Sequence, residues 1–134
     1  NEYIDPVTKQ DLSKINKFAQ APKHTVNVYG RYVVPDVASD GDLVFRADYS
    51  WRSKYSILSS PGNETIGYGL LNGRIALEDV HLAGDRKMSL AFWAKNITNK
   101  LYYQSGYNLV SSLGIEGRFT GAPRTIGGDL VIEF

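Results

Sequence analysis

Apolar and polar residues alternate with a period of two in five separate stretches, the signature of strands with one apolar and one polar face. In the first, His24 to Val34, the residues Val26, Val28, Gly30, Tyr32 and Val34 share one face, and Thr25, Asn27, Tyr29 and Arg31 the other. The second, from about Asp42 to Ser56, sets Leu43, Phe45, Ala47, Tyr49 and Trp51 against Arg46, Asp48, Ser50 and Arg52. Tyr68 to Glu78 places Leu71, Ile75 and Leu77 opposite Asn72, Arg74 and Glu78. In the fourth, Met88, Leu90, Phe92 and Ala94 oppose Ser89, Ala91, Trp93 and Lys95. The last, Thr125 to Phe134, puts Ile126, Gly128, Leu130, Ile132 and Phe134 on one side and Gly127, Asp129, Val131 and Glu133 on the other. The pattern predicts an all-β chain, an antiparallel meander of about five long strands. The second run exceeds the roughly 5 to 6 residues of ordinary soluble strands and suits a tilted membrane crossing of about 9 to 11.

The connectors alternate in length. Pro35 to Gly41 and Val80 to Lys87 are short, whereas Ile57 to Gly67 and Asn96 to Gly121 are long and rich in Gly, Asn and Ser. Outer-membrane barrels have this asymmetry, short periplasmic turns and long outer loops. Residues 1–23 are polar and lack the period of two, so they read as a loop. Within them Leu12, Ile15 and Phe18 recur at helical spacing after Asp11, which predicts a helical turn over Asp11 to Phe18 with Asp11 as N-cap.

Composition does not separate a barrel from a soluble domain. The 134 residues are 43% hydrophobic and 22% charged, and barrels average their two faces to the same values. No apolar run approaches the roughly 20 residues of a helical span, and no signal peptide opens at Asn1, which fits a fragment as well as a cytosolic chain. Fifteen basic residues are scattered among fourteen acidic ones, so no continuous basic face exists for nucleic acid. With no cysteine there is neither a disulfide framework nor thiolate chemistry. His24 and His81 lack partners at metal-ligand spacing. Asp36, Asp40 and Asp42 with Gly41 have a partial likeness to a calcium loop but lack its terminal bidentate Glu, and a solvated turn is the expectation. Gly67, Gly69 and Gly73 open a strand at the wrong spacing for a dinucleotide loop. Asn63-Glu-Thr and Asn96-Ile-Thr are glycosylation sequons only in a eukaryotic secretory setting. No nucleophile elbow or acid–base carboxylate pair is spaced for catalysis, so neither an enzyme nor a cofactor is expected.

Four segments point to a family. APKHTVNVYGRY, GDLVFRADYSWRSKYS, YGLLNGRIALEDV leading into MSLAFWAKNITNKLYY, and GAPRTIGGDLVIEF resemble, in order and spacing, the last five strands of TonB-dependent receptors. The Trp-Ala-Lys-Asn-Ile-Thr-Asn run closing on Leu101, Tyr102 and Tyr103 is similar to the family's N-L-T-D-K-x-Y signature. The resemblance covers about residues 21–134. It implies the C-terminal part of a 22-stranded transmembrane β-barrel in the outer membrane of a Gram-negative bacterium. Residues 1–23 are then an extracellular loop segment and residues 24–134 barrel strands, with the plug and remaining strands carried elsewhere. The implied function is active import of ferric chelates or other scarce nutrients, to which this chain supplies wall and outer loops. The implied partners are outer-membrane lipid and lipopolysaccharide, a TonB-type energising protein acting through the plug, the barrel-assembly machinery, and a small nutrient or metal-chelate ligand. Phe134 with Ile132 and Leu130 is similar to the family's barrel-assembly signal.

The same assignment makes the loops Ser56 to Gly67 and Asn99 to Pro123 extracellular and places Trp51, Tyr55, Tyr68, Tyr102 and Tyr103 in an outer aromatic girdle. Arg31, Arg46, Asp48, Arg52, Arg74, Glu78, Lys95, Asp129 and Glu133 then face the lumen, paired with each other and with the plug. Arg52, nearest the outside, is the candidate for contact with an anionic ligand. Two other readings stay open: a stand-alone soluble small β-barrel or sandwich acting as a binding module, and a few-stranded structural barrel. The latter needs oligomerisation or extra chain, because five strands are too few to close.

Overall fold

The computed structural model describes Ile4, Lys9, Asp11, residues 18–58 and residues 62–134. In chain order the elements are β1 (Thr25–Ala38), β2 (Gly41–Arg52), β3 (Tyr55–Ser56), β4 (Glu64–Thr65), β5 (Tyr68–His81), β6 (Lys87–Lys95), β7 (Tyr103–Leu109), a single helical turn α1 (Val110–Leu113), β8 (Ile115–Thr120) and β9 (Thr125–Glu133). The five long strands form one antiparallel sheet in the order β1-β2-β5-β6-β9, and β3-β4 and β7-β8 are separate two-stranded ladders. The expected five-strand meander is therefore present. The helical turn expected over Asp11 to Phe18 falls mainly on residues 12–17, which lie outside the described residues.

The chain divides into two compact units. The wall unit holds Val26–Trp51, Gly69–Lys100 and Ala122–Phe134. In it, Ile75, Phe92 and Gly128 share one cross-strand row, Leu77, Leu90 and Leu130 the next, and Met88 with Ile132 a third. These rows carry the apolar face. The alternate rows join Arg74, Trp93 and Gly127, then Ala76, Ala91 and Asp129, and carry the polar one. Pairing fixes faces because a slip of one residue would turn every side chain over.

Two local irregularities extend the strands beyond their expected limits. The first strand was expected to stop near Val34, because a proline removes a ladder donor, yet β1 continues through Pro35 to Ala38. A sheet edge tolerates proline, and β1 is an edge strand. Asp36 takes a positive φ of 56°, and its N–H donates to Asp42 Oδ1 at 3.3 Å. The connector shrinks to Ser39 and Asp40, both left-handed, the two-residue hairpin geometry that matches strand twist. In β5 the register shifts between Leu77 and Val80, where one extra residue is accommodated by Asp79 at φ 59°. The Asp79 N–H donates to Ser89 Oγ at 3.1 Å. This bulge brings Val80 opposite Met88 and carries β5 three residues past Glu78, where the alternation breaks.

Gly41, at the foot of β2, is the close-approach position. A Cβ there would lie 2.7 Å from Val80 Cγ2 and 3.0 Å from the carbonyl oxygens of Ala38 and Glu78. Two of those three neighbours are backbone and cannot swing aside. Gly41→Ala is expected to cost about 1–3 kcal/mol, read as a lower unfolding midpoint.

The loop unit holds the described residues of Asn1–Thr25 together with Arg52–Tyr68 and Leu101–Gly121. Tyr55, Ile57 and Tyr68 form its buried apolar centre, with Ser56, Asn63 and Thr65 buried beside them. Ala19 bridges Ser56, and the Gln20 N–H donates to the Ser56 carbonyl. The stretch Asn96 to Gly121, expected as loop throughout, contains the β7-β8 hairpin closed by α1 and the left-handed Gly114. Its Gly, Asn and Ser content hid the alternation.

Candidate functional site

On the polar face of the wall unit, charge is organised across strands. Glu78 accepts from Arg74 Nη1 at 2.6 Å and from Arg46 Nη2 at 3.2 Å, so one carboxylate holds two guanidiniums. Asp48 accepts from Asn72 Nδ2 at 2.7 Å, and Asn72 Oδ1 in turn accepts the Asn96 N–H at 2.9 Å. This chain of polar contacts links β2, β5 and the end of β6. Trp93 lies over Gly127 of the neighbouring strand, whose missing Cβ makes room for the indole, and Lys95 Nζ sits 5.5 Å from that ring's centre. Among the sequence-derived lumen residues, the sheet thus brings Arg46, Arg74 and Glu78 together. Arg31, Asp129 and Glu133 make no ion pair among the described residues.

The Asn-Ile-Thr-Asn turn after β6 has a structural role that a sequon reading misses. Asn96 is 4% exposed at φ 49°. Its Nδ2 donates to the carbonyls of Lys100 at 3.0 Å and Ala122 at 3.1 Å, and its Oδ1 accepts the Lys100 N–H at 2.8 Å. Asn99, at φ 50°, accepts the Arg124 N–H on its Oδ1. Asparagine tolerates the left-handed region and offers both donors and an acceptor, which explains two asparagines three residues apart here. The available signal was that spacing directly after a strand end.

Of the five aromatic residues expected in an outer girdle, Tyr55, Tyr68, Tyr102 and Tyr103 pack together in the loop unit, whereas Trp51 belongs to the wall unit. Tyr55 and Tyr68 are buried rather than presented to an interface. The Tyr55 hydroxyl donates to the Tyr103 carbonyl at 2.7 Å, and the Tyr68 ring lies 4.7 Å from that of Tyr102. Arg52 rests over Tyr68 with its guanidinium carbon 5.4 Å from the ring centre, and Arg118 lies 5.8 Å from the centre of Tyr103. The reason is local: although Tyr55, Tyr68 and Tyr103 each begin a strand, the β3-β4 ladder and the β7-β8 hairpin give these tyrosines a partner surface. Arg52 is exposed apart from this stack, so it remains open to a ligand. An exposed cation–π contact contributes about 0.5–1 kcal/mol. Arg52→Ala should therefore shift the unfolding midpoint only slightly, and a larger loss of ligand affinity than of stability would mark it as a contact.

No family model, curated protein or solved structure matches the chain.

The remaining sequence-derived candidates are placed as follows. Leu130 and Ile132 lie on the apolar face opposite Leu90 and Met88, and Phe134 follows β9 at 94% exposure. The His24 N–H donates to Ser53 Oγ and its carbonyl accepts the Ser53 N–H, while His81 pairs with Lys87. Among the described residues, no three His, Asp or Glu side chains converge on a metal position. No described helix is long and apolar enough to cross a membrane, a statement that leaves strands untouched. What the arrangement can do is separate an apolar environment from an aqueous one across a single sheet.

Proposed function

We propose that this chain is C-terminal barrel wall of a TonB-dependent outer-membrane receptor, contributing to active import of ferric chelates or other scarce nutrients. One observation carries the reading. The sheet exposes Val26, Val28, Tyr32, Ile75, Phe92, Ile126, Leu130 and Ile132 on one face, with Phe92 at 62% and Leu130 at 61%, while its other face carries cross-linked charge. Soluble monomers rarely expose an apolar patch of more than a few hundred Å². A soluble barrel or sandwich would turn that face inward and leave the charges outside. Supporting it are strands of 9 to 14 residues, enough for tilted crossings of about 9–11. The sheet also has two open edges, β1 and β9, which a closed barrel would pair. In this reading the transported ligand, the energising partner and the assembly machinery act on the whole receptor, and this segment supplies wall and outer loops.

No cysteine of these 134 residues competes for a label placed within them. Single cysteines at Leu90 or Leu130, and at Ser89 or Asp129, are labelled with a fluorophore in the reconstituted protein. Quenching by spin-labelled lipid should reach the first pair and spare the second. Equal quenching at all four positions would sink the reading.

A further inference from the structure

We infer that the polar face of the wall unit carries a binding site for a small oxyanion, a carboxylate or phosphate group, built from Arg46, Arg74, Lys95 and Tyr29. These residues, with Asp48, Asn72, Gly73 and Ala94, line a depression of about 220 Å³ whose wall is largely apolar carbon, with the charged groups at its margin. Three cations there meet two carboxylates, and both carboxylates are engaged. Glu78 is shared by Arg46 and Arg74, and Asp48 keeps its charge beside the neutral Asn72 amide, so the group carries one net positive charge. Lys95 has no carboxylate within ion-pair distance among the described residues, and its ammonium is held only over the Trp93 ring. Arg46 adds a buried Nε–H with no acceptor, although its Nη2 is satisfied by Glu78. An unsatisfied buried donor is costly, and a guanidinium edge pairs best with a planar or tetrahedral oxyanion that takes two hydrogen bonds. An oxyanion in the depression supplies the missing charge to the two arginines and Lys95, and a small turn of Arg46 gives its Nε–H an acceptor. The inference stands on the sheet's own geometry and is independent of the membrane reading.

The oxyanion has two possible sources, a free small anion or the carboxylate side chain of another protein segment, and the test separates them. The probe is inorganic phosphate, measured by equilibrium dialysis against the intact protein purified from producing cells at low salt. Saturable binding that weakens with added chloride shows a free-anion site. Lys95→Gln should then weaken it about tenfold or more, the loss of one charge-assisted contact, while Lys95→Arg retains it. In parallel, a zero-length carbodiimide joins amines to touching carboxylates. A cross-linked peptide containing Lys95, absent in Lys95→Gln, shows that the oxyanion is a side chain. Absence of both saturable binding and cross-link overturns the inference, as does phosphate binding that Lys95→Gln leaves unchanged. A heat-modifiable membrane protein without phosphate binding or cross-link would remove the site alone, whereas a soluble protein that binds phosphate would remove the membrane reading alone.

Discussion

Asn96→Ala is expected to cost about 2–4 kcal/mol, because it removes three part-buried side-chain hydrogen bonds made by a residue 4% exposed. The variants around it separate the causes. Asn96→Gly should lose the same bonds but relieve the left-handed backbone, so it should fall about 1 kcal/mol less than alanine. Asn96→Asp keeps the acceptor for Lys100 N–H but turns an anionic oxygen towards two carbonyls, and should be no better than alanine at neutral pH. Thermal unfolding followed by circular dichroism gives the order. If alanine matched the native protein, the turn would not be the clamp between β6 and the entry to β9 described above.

Tyr68→Ala is expected to open the loop unit. Tyr68 is 4% exposed, stacks on Tyr102 and supports Arg52, so its removal leaves a cavity costing about 3–5 kcal/mol. At about 1.4 kcal/mol per tenfold, the open population rises on the order of 100-fold or more. Limited proteolysis should show this as faster cleavage within Leu101 to Gly121, while strand content of the wall unit is kept. Tyr68→Phe retains the stack and loses only the hydroxyl's hydrogen bond with Tyr55, so it should cost about 1 kcal/mol, well short of alanine. Equal cleavage rates in native and Tyr68→Ala protein would show that the tyrosine cluster does not hold these loops.

How much of this was legible depended on whether the relevant physics is local. The five wall strands were readable because each repeats apolar and polar residues at the period of a pleated strand, and Leu90 opposite Leu130 or Met88 opposite Ile132 follows from two such runs pairing. Their ends were less readable. Pro35 signals a break, yet β1 tolerates it as an edge strand, and the bulge at Asp79 resets the alternation that would otherwise end β5 at Glu78. The β7-β8 hairpin was hidden by Gly106, Asn108 and Gly117, which lower strand propensity although pairing overrides it.

At the site, the separation of charges from the apolar face was legible, but their partners were not. That Arg46 and Arg74 meet on one carboxylate depends on cross-strand register, which no single run encodes. The burial of Tyr55 and Tyr68 arises from contacts between segments about fifty residues apart, such as Tyr55 with Tyr103. The family resemblance, with the strand directions it implies, placed these rings in an outer girdle. The role of Asn96 was obscured because the same three residues spell a modification motif.

The most direct test of the central claim is fractionation of producing cells followed by immunoblotting with antibody against this chain, comparing boiled and unboiled samples. A membrane-fraction band far heavier than 14.9 kDa that changes mobility on boiling is the expected result, since closed β-barrels resist detergent until heated. A soluble band at 14.9 kDa, with the same mobility boiled and unboiled, would contradict it.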